Sequence, residues 1–144
     1  MKTHRVITII GWLVSGILLF LWQEKYLSFH YEYIEQFRLF HYSADYFIEH
    51  CSYPSGIIEY LGSFLIQFFN QPHVGAGIVT ILLLSVGIGI QQIFKRIASH
   101  VDMPLAYLLP TLFLLFAGMD INYHLEGTLA FALNVWFLNI QVSF

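Results

Sequence analysis

Four stretches of the chain contain no Asp, Glu, Lys or Arg, and they span residues 6–22, 74–94, 104–119 and 128–144. Each is long enough, or nearly long enough, to cross the roughly 30 Å hydrocarbon core of a bilayer as a helix. Of all residues, 58% are hydrophobic and only 10% are charged. Soluble domains carry about 25% charged residues, so a soluble core of this size could not hide the apolar surface. The sequence therefore predicts an all-α, polytopic membrane protein with about four transmembrane helices.

Charged residues are sorted by the side of the membrane on which these spans would place them. Basic residues precede the first span and follow the second, at Lys2, Arg5, Lys95 and Arg96. The acids on the opposite side are Glu24, Glu32, Glu35, Asp45, Glu49, Glu59, Asp120 and Glu126. Because basic loops stay in the cytoplasm, we expect a cytoplasmic N-terminus and an acidic functional face outside the cytoplasm. The net charge of −3, with the acids facing outward, argues against binding to nucleic acid.

The segment 23–73 between the first two spans is rich in aromatic residues and is predicted to hold two amphipathic helices. One covers about 31–50, with a potential break near Ser43. The other covers about 55–71, and its apolar positions have helical spacing. These positions are Ile57, Ile58, Leu61, Phe64, Leu65 and Phe68. We expect this helix to lie in the outer interface, because Glu59 is in its first turns and a further span would carry Lys95 outside.

Small and polar residues within the spans predict how the helices pack. The second span contains Ser85 and Gly89 four residues apart, a spacing that lets helices approach closely in lipid. One face of the last span carries Gly127, Asn134 and Gln141. That polar face predicts a protein partner, such as further membrane helices of the same or another chain. Because the chain stops without a hydrophilic tail, we expect residues 1–144 to be one membrane domain at the N-terminal end of a longer protein.

Candidate chemistry lies in the outer acids, because a carboxylate at the membrane surface can act as a general base or bind a hard divalent cation. The candidate catalytic residues are Glu35, Asp45 and Glu126. The candidate metal ligands are Asp120, His124 and Glu126, for a divalent cation such as magnesium or manganese. The alternative is that these acids only keep the outer loops soluble.

One further class of function is disfavoured by the residues that the spans lack. An ion-coupled transporter places ionisable groups at mid-membrane, and the four apolar stretches contain no Asp, Glu, Lys, Arg or His. Cys51 is the only cysteine, so the chain has no intrachain disulfide and no Cys-rich zinc site. It is interpreted as a small packing residue, with a reactive thiol as the alternative.

Four short stretches carry a resemblance to a known group of proteins. They are WQEKY at 22–26, EQFRLF at 35–40, YPSGIIEYLGSFLIQFF at 53–69 and NYHLEG at 122–127. Together they resemble the opening of an uncharacterised family of bacterial multi-pass membrane proteins. The resemblance covers nearly the whole chain and implies a location in the bacterial inner (cell) membrane, but it implies no established activity.

A looser resemblance is to the C-type glycosyltransferases, which use lipid-linked sugar donors. The first outer loop of those enzymes has an acid, then an aromatic residue, then a Pro-led amphipathic segment. Here these features are Glu35, Phe40 or Tyr42, and Pro54, with Glu126 as a second acid before the fourth span. The resemblance implies Glu35 as catalytic base and a polyprenyl-linked substrate. Those enzymes usually carry Asp in this loop, often as an Asp-Glu pair, whereas here Glu35 precedes Gln36.

Three hypotheses follow, all with the lipid bilayer as a partner. The chain is a multi-pass membrane protein of unspecified role, a glycosyltransferase-like enzyme, or a structural or assembly subunit of a membrane complex. An enzyme requires the carboxylates of the two outer segments to approach one another across a cavity. An assembly subunit predicts that they diverge beside an exposed aromatic patch.

Overall fold

A computed structural model describes residues 2–36, 39–97, 104–120 and 122–143. Within these ranges every regular element is a helix, as the sequence predicts. The helices are α1 (Lys2–Tyr26), α2 (Ser28–Gln36), α3 (Ala44–Cys51), α4 (Gly56–Ile66), α5 (Pro72–Ile97), α6 (Pro104–Ala117) and α7 (Leu125–Gln141). A short 3₁₀ helix, Gln67–Asn70, connects α4 to α5.

Two helical segments, Val6–Tyr26 and Pro72–Ile97, are long and apolar enough to cross a membrane. Length and composition alone indicate a membrane only weakly, because a signal sequence or the central helix of a soluble protein meets the same test. α6 and α7 overlap the third and fourth predicted spans, but they have only 14 and 17 residues. The helical fold class is therefore confirmed, and the number of membrane crossings stays a prediction.

α5 is the central helix, because α1, α2, α6 and α7 all pack against it. Its glycines allow these helices to approach closely. A Cβ atom on Gly87 would lie 2.5 Å from the Trp12 ring of α1, and one on Gly89 would lie 2.6 Å from Cγ1 of Val135 in α7. Two carbon atoms in contact need about 3.5–4.0 Å, so a side chain at either position would displace its neighbour. Gly87 and Gly89 thus allow α1 and α7 to approach α5 closely, and of the pair Ser85 and Gly89 it is Gly89 that makes the close contact.

The buried core has two parts that follow one another along α5. The first lies where α2, α4 and the start of α7 meet α5, and its buried members are Leu27, Tyr31, Ile66, Phe69, Ala76 and Leu125. The second lies between α5, α6 and α7, and its buried members are Leu83, Val86, Ile90, Leu114, Ala132 and Val135. α1 contributes little to either part, and one side of it packs on α5.

The polar face predicted for the last span is not the face that α7 buries. Gly127, Asn134 and Gln141 are exposed, and the Asn134 amide donates to a carbonyl of its own helix at 2.8 Å. The buried polar residue is Asn139, whose amide donates to the Gly89 carbonyl of α5 at 2.7 Å. Close contact with the glycines of α5 decides which face of α7 is buried, and the spacing of polar residues within α7 does not reveal it.

The helix predicted at about 31–50 is in fact two helices, α2 and α3. α3 begins after Ser43, whose hydroxyl accepts a hydrogen bond from the Tyr46 amide at 3.2 Å and so caps the new helix. The described part of the segment 23–73 therefore holds three α-helices and a 3₁₀ helix, and the prediction of two amphipathic helices was wrong in number. Of the two alternatives, one continuous helix or a break near Ser43, the structure shows the break.

Part of the apolar stripe predicted for α4 is exposed, whereas Leu65 packs against the first part of the core and Phe64 against Phe40. The buried residues of α4 are Gly56, Gly62, Ser63 and Ile66. Ile57 and Leu61 of the predicted stripe are 58% and 39% exposed. α4 therefore meets Glu126 of α7 through Gly62 and buries Ile66 in the core, while Ile57 and Leu61 stay exposed.

The two ends of the helix bundle differ in charge. At one end, which we term the acidic end, Glu24 of α1 lies 2.8 Å from the His73 ring of α5. The loop helices α2 to α4 and the turn between α6 and α7 lie at this same end. At the opposite, basic end, Arg96 donates from Nη1 to the Asn139 carbonyl at 2.6 Å. The described chain thus gathers its acids at one end of the long helices, as the sorting by side predicts.

Candidate functional site at the acidic end

Glu126 is the candidate acid that the fold buries. It lies in the first turn of α7 and is only 9% exposed. Gly62 of α4 covers it so closely that a Cβ atom on Gly62 would lie 2.6 Å from Cγ of Glu126. His124, which precedes α7, places Nδ1 3.9 Å from Oε2 of Glu126. A carboxylate is costly to bury, so the first turn of α7 is the most constrained part of the acidic end.

The predicted metal ligands Asp120, His124 and Glu126 are not assembled into a three-ligand site. Asp120 is exposed, and its Oδ1 atom accepts hydrogen bonds from the amide and the side chain of Asn122 at 2.9 and 3.2 Å. This arrangement is a local turn in which the side chain bonds the backbone two residues on. Within the part of the chain that the structure describes, no three His, Cys, Asp or Glu side chains are grouped to hold a metal ion.

Glu35 and Asp45, the other candidate catalytic residues, lie on two different helices. Glu35 is half-buried near the end of α2, and Asp45 is exposed in the first turn of α3. α3 packs on α4, and α4 is the loop helix that packs on α7. The contact that joins the loop helices to Glu126 is made by Gly62. A catalytic role for Glu35 or Asp45 therefore stays a prediction.

Glu59, which was expected to keep α4 out of the membrane, stabilises the turn before that helix. Its two carboxylate oxygens accept hydrogen bonds from Tyr53 at 3.0 Å and from Ser55 at 2.9 Å. Ser55 has φ 74°, a left-handed conformation that is costly for a residue with a side chain. The carboxylate thus helps to hold a strained turn, which is a structural role.

A buried polar network at the acidic end was not predicted. Gln23 is 0% exposed, accepts a hydrogen bond from the Tyr31 hydroxyl at 2.5 Å and donates to the Thr80 hydroxyl at 3.1 Å. It joins α1, α2 and α5, and burial raises the pKa of the Tyr31 hydroxyl. Gln23 and Tyr31 also line an internal cavity of about 30 Å³. The only signal in the sequence is a glutamine directly after the first span, which also fits a residue at the membrane surface.

His30 connects α2 to the turn between α6 and α7. Burial lowers the pKa of its ring, while a hydrogen bond with the Gly118 backbone and the nearby charge of Asp120 act in the opposite direction. Because burial is the largest of these effects, the neutral ring is favoured over the charged one. The contact is one more point at which the segment between α1 and α5 is held against the turn between α6 and α7.

Aromatic rings of the outer segment form a layer, which we term the aromatic layer. Phe40 lies at its centre, and its ring centroid is within 4.9–5.6 Å of four other ring centroids. Those four rings are Tyr42, Tyr46, Tyr60 and Phe64. Edge-to-face contacts of this kind stabilise by about 0.5–1.5 kcal/mol each. The layer fastens α3 to α4, although α3 has no buried residue of its own.

The sequence profile of a family of unknown function, DUF6057, matches residues 3–144 of the chain. The chain belongs to this family. No curated protein and no solved structure matches it. Membership of DUF6057 agrees with the predicted resemblance to an uncharacterised family, and it implies no activity. The likeness to C-type glycosyltransferases stays a prediction.

The contact between Gly62 and Glu126 gives a test of the site in this DUF6057 member. In the native background, Gly62→Ala forces the Glu126 side chain aside, and we expect unfolding free energy to fall by about 1–2 kcal/mol. In a Glu126→Ala background the obstacle is gone. There Gly62→Ala should raise the free energy of unfolding by up to about 1 kcal/mol, because alanine is a better helix former than glycine. Thermal or denaturant unfolding of the four variants in detergent measures the cycle. Equal effects in both backgrounds would show that the contact is absent.

Proposed function

We propose that the protein is a multi-pass membrane protein of the bacterial cell membrane, with a structural rather than a catalytic role in the segment described. The observation that carries this proposal is that large apolar side chains are exposed and polar side chains are buried, the reverse of the pattern in soluble proteins. Large aliphatic side chains such as Ile7 and Leu18 on α1 are 61% and 62% exposed. Polar side chains such as Gln23 and Asn139 are 0% and 3% exposed. Water penalises that arrangement, whereas lipid favours it.

In this proposal α1, α5, α6 and α7 cross the bilayer. α6 and α7 have 14 and 17 residues, which correspond to about 21 and 26 Å along the helix axis. Both values are short of the roughly 30 Å core, so flanking residues or local thinning of the bilayer must cover the difference. The exposed apolar side of α1 would contact lipid directly, or further membrane helices would pack on it.

The orientation follows from the difference between the two ends. Lys95 and Arg96 are in the last turn of α5, at the basic end. Because short basic segments stay in the cytoplasm, the N-terminus is cytoplasmic and the acidic end faces outward. The exposed apolar stripe of α4 supports the same arrangement, since a helix of this kind at the acidic end would lie with its stripe in the outer interface.

A structural role is favoured over the glycosyltransferase-like alternative by the surroundings of Glu126. A general base must reach its substrate, and Glu126 is 9% exposed behind Gly62. The aromatic layer and the Gln23 network, by contrast, fasten the outer helices to the long ones. An enzyme that uses a lipid-linked donor would need Glu35 or Asp45 to carry the chemistry without Glu126.

Cys51 provides the test of the proposed orientation, because it is the only cysteine and lies exposed at the end of α3. A membrane-impermeant maleimide added to intact cells or spheroplasts is expected to label it. The matched control is a Cys51→Ser chain with Ile97→Cys, which moves the thiol to an exposed position at the basic end of α5. We expect that control to be labelled only after the membrane is permeabilised. The reverse pattern, or release of the chain by alkaline carbonate, would refute the proposal.

A further inference from the structure

A groove of about 550 Å³ runs along the packed helices α1 and α5. Its α1 side is formed by residues such as Ile9, Leu13 and Ile17, and its α5 side by Leu84 and Ile88. On α5 the groove extends from Thr80 to Gln91, and eleven residue steps of a helix span about 16 Å. That length is close to one leaflet of the roughly 30 Å hydrocarbon core.

The groove becomes polar toward the basic end. There the indole of Trp12 donates to Oε1 of Gln91 at 3.0 Å, and Gln91 is 8% exposed. A second cavity of about 200 Å³ lies beside the same pair and reaches Ser15 and Tyr107. Hydroxyl and amide groups at this depth are suited to ester and glycerol oxygens, which lie just below a lipid headgroup.

Lys95 lies about one helical turn beyond the last groove residue of α5. The groove residues of α5 are Thr80, Leu84, Ile88 and Gln91, and their spacing of four, four and three residues defines one face of the helix. Lys95 follows Gln91 by four residues and therefore continues that face. It is exposed, whereas its neighbour Arg96 turns to the Asn139 carbonyl of α7. The apolar groove thus ends at a cation.

We propose that this groove binds one acyl chain of an anionic glycerophospholipid from the cytoplasmic leaflet, with the phosphate beside Lys95. The inference rests on the proposed function, since it needs the basic end to face the cytoplasm. An extended acyl chain suits the groove, because the groove is about 16 Å long, close to one leaflet, and is lined mainly by apolar side chains of α1 and α5. A basic group at the cytoplasmic end of a crevice between membrane helices selects anionic headgroups.

The first experiment is native mass spectrometry of the purified chain in detergent with dioleoyl-phosphatidylglycerol or dioleoyl-phosphatidylcholine. We expect the anionic lipid to bind at least about fivefold more tightly, because one lysine near the headgroup accounts for that ratio. Lys95→Gln should weaken the binding of phosphatidylglycerol about fivefold and leave the binding of phosphatidylcholine unchanged. The matched control is Lys25→Gln, which removes a lysine at the acidic end of α1. Equal losses in both variants would overturn the inference.

A second variant tests the groove itself. Ile88→Trp fills the groove and should reduce binding of both lipids severalfold, while Ile81→Trp, at a position of α5 that is 67% exposed and outside the groove, should not. Thermal unfolding checks that both tryptophan variants are folded. If Ile88→Trp does not fold, the comparison of Lys95→Gln with Lys25→Gln decides whether the groove binds the anionic lipid. The expected Cys51 labelling together with equal binding of the two lipids would refute this inference alone. Reversed Cys51 labelling would refute the proposed function as well.

Discussion

Replacing Gly56 with alanine is expected to disrupt the junction between α3 and α4 and to lower the free energy of unfolding by at least about 3 kcal/mol. A Cβ atom at this position would lie 1.7 Å from the carbonyl oxygen of His50 and 2.6 Å from its carbonyl carbon. Both are backbone atoms of α3, so no side-chain rotation can relieve the overlap. Overpacking against a movable side chain costs about 1–3 kcal/mol, and an immovable backbone exceeds that range.

Two measurements check the effect of Gly56→Ala. Thermal unfolding in detergent measures the global loss, and amide hydrogen exchange over Ala44–Cys51 shows whether α3 separates from α4. The matched control is Gly11→Ala on α1, where a Cβ atom would meet nothing within 4 Å. Alanine is a better helix former than glycine, so the control should be neutral or slightly stabilising. A Gly56→Ala chain as stable as this control, with unchanged exchange in α3, would contradict the described junction.

The long helices could be predicted because their determinants are local. The charge-free runs at 6–22 and 74–94 fall within α1 and α5. An apolar run of that length has to satisfy its own backbone hydrogen bonds, in lipid or in a protein core, and the helix does so within one segment. The central place of α5 also had a local signal, since its glycines permit close contact on several sides.

The loop helices were harder to predict because their determinants are distant or small. The start of α3 is marked by one side-chain hydrogen bond, which the Ser43 hydroxyl accepts from the Tyr46 amide, and the aromatic residues on both sides suit one helix as well as two. The buried face of α4 could not be read from hydrophobicity. The face that packs includes Gly62 and Ser63, whereas Ile57 and Leu61 of the apolar stripe are exposed.

The candidate site was predicted in its residue types and not in its arrangement. Glu126 was among the candidate acids, but its burial depends on Gly62, which is far away in the sequence. The described residues do not group Asp120 and His124 with Glu126 into a three-ligand site, and Asp120 instead accepts a hydrogen bond from the Asn122 amide. A role for these residues in binding a metal stays a prediction. Gln23 was missed because its partner Thr80 lies on another helix, and nothing local distinguishes a buried glutamine from one at the membrane surface.

Gly89→Ala is expected to separate α7 from α5 and to lower the free energy of unfolding by about 2–3 kcal/mol. The added Cβ atom would lie 2.6 Å from Cγ1 of Val135 and 3.4 Å from the amide nitrogen of Asn139. Valine is β-branched, so its side chain has few alternative rotamers to which it can move. Moving α7 instead would weaken the hydrogen bond from Asn139 to the Gly89 carbonyl, which is 2.7 Å long.

The comparison variants make this expectation specific. Gly77→Ala places its Cβ atom 3.9 Å from Phe20, an ordinary contact, and should not destabilise. In a Val135→Ala background the clash is relieved, so Gly89→Ala should lower the free energy of unfolding much less than it does in the native chain. A double-mutant cycle measured by denaturant unfolding gives the coupling between the two positions. If Gly89→Ala and Gly77→Ala had the same effect, α5 and α7 would not be in the close contact described. A large loss that Val135→Ala does not reduce would place the obstacle at Asn139 instead, because its side-chain amide, at 3.4 Å, is then nearer to the new methyl group than Trp136, at 3.8 Å.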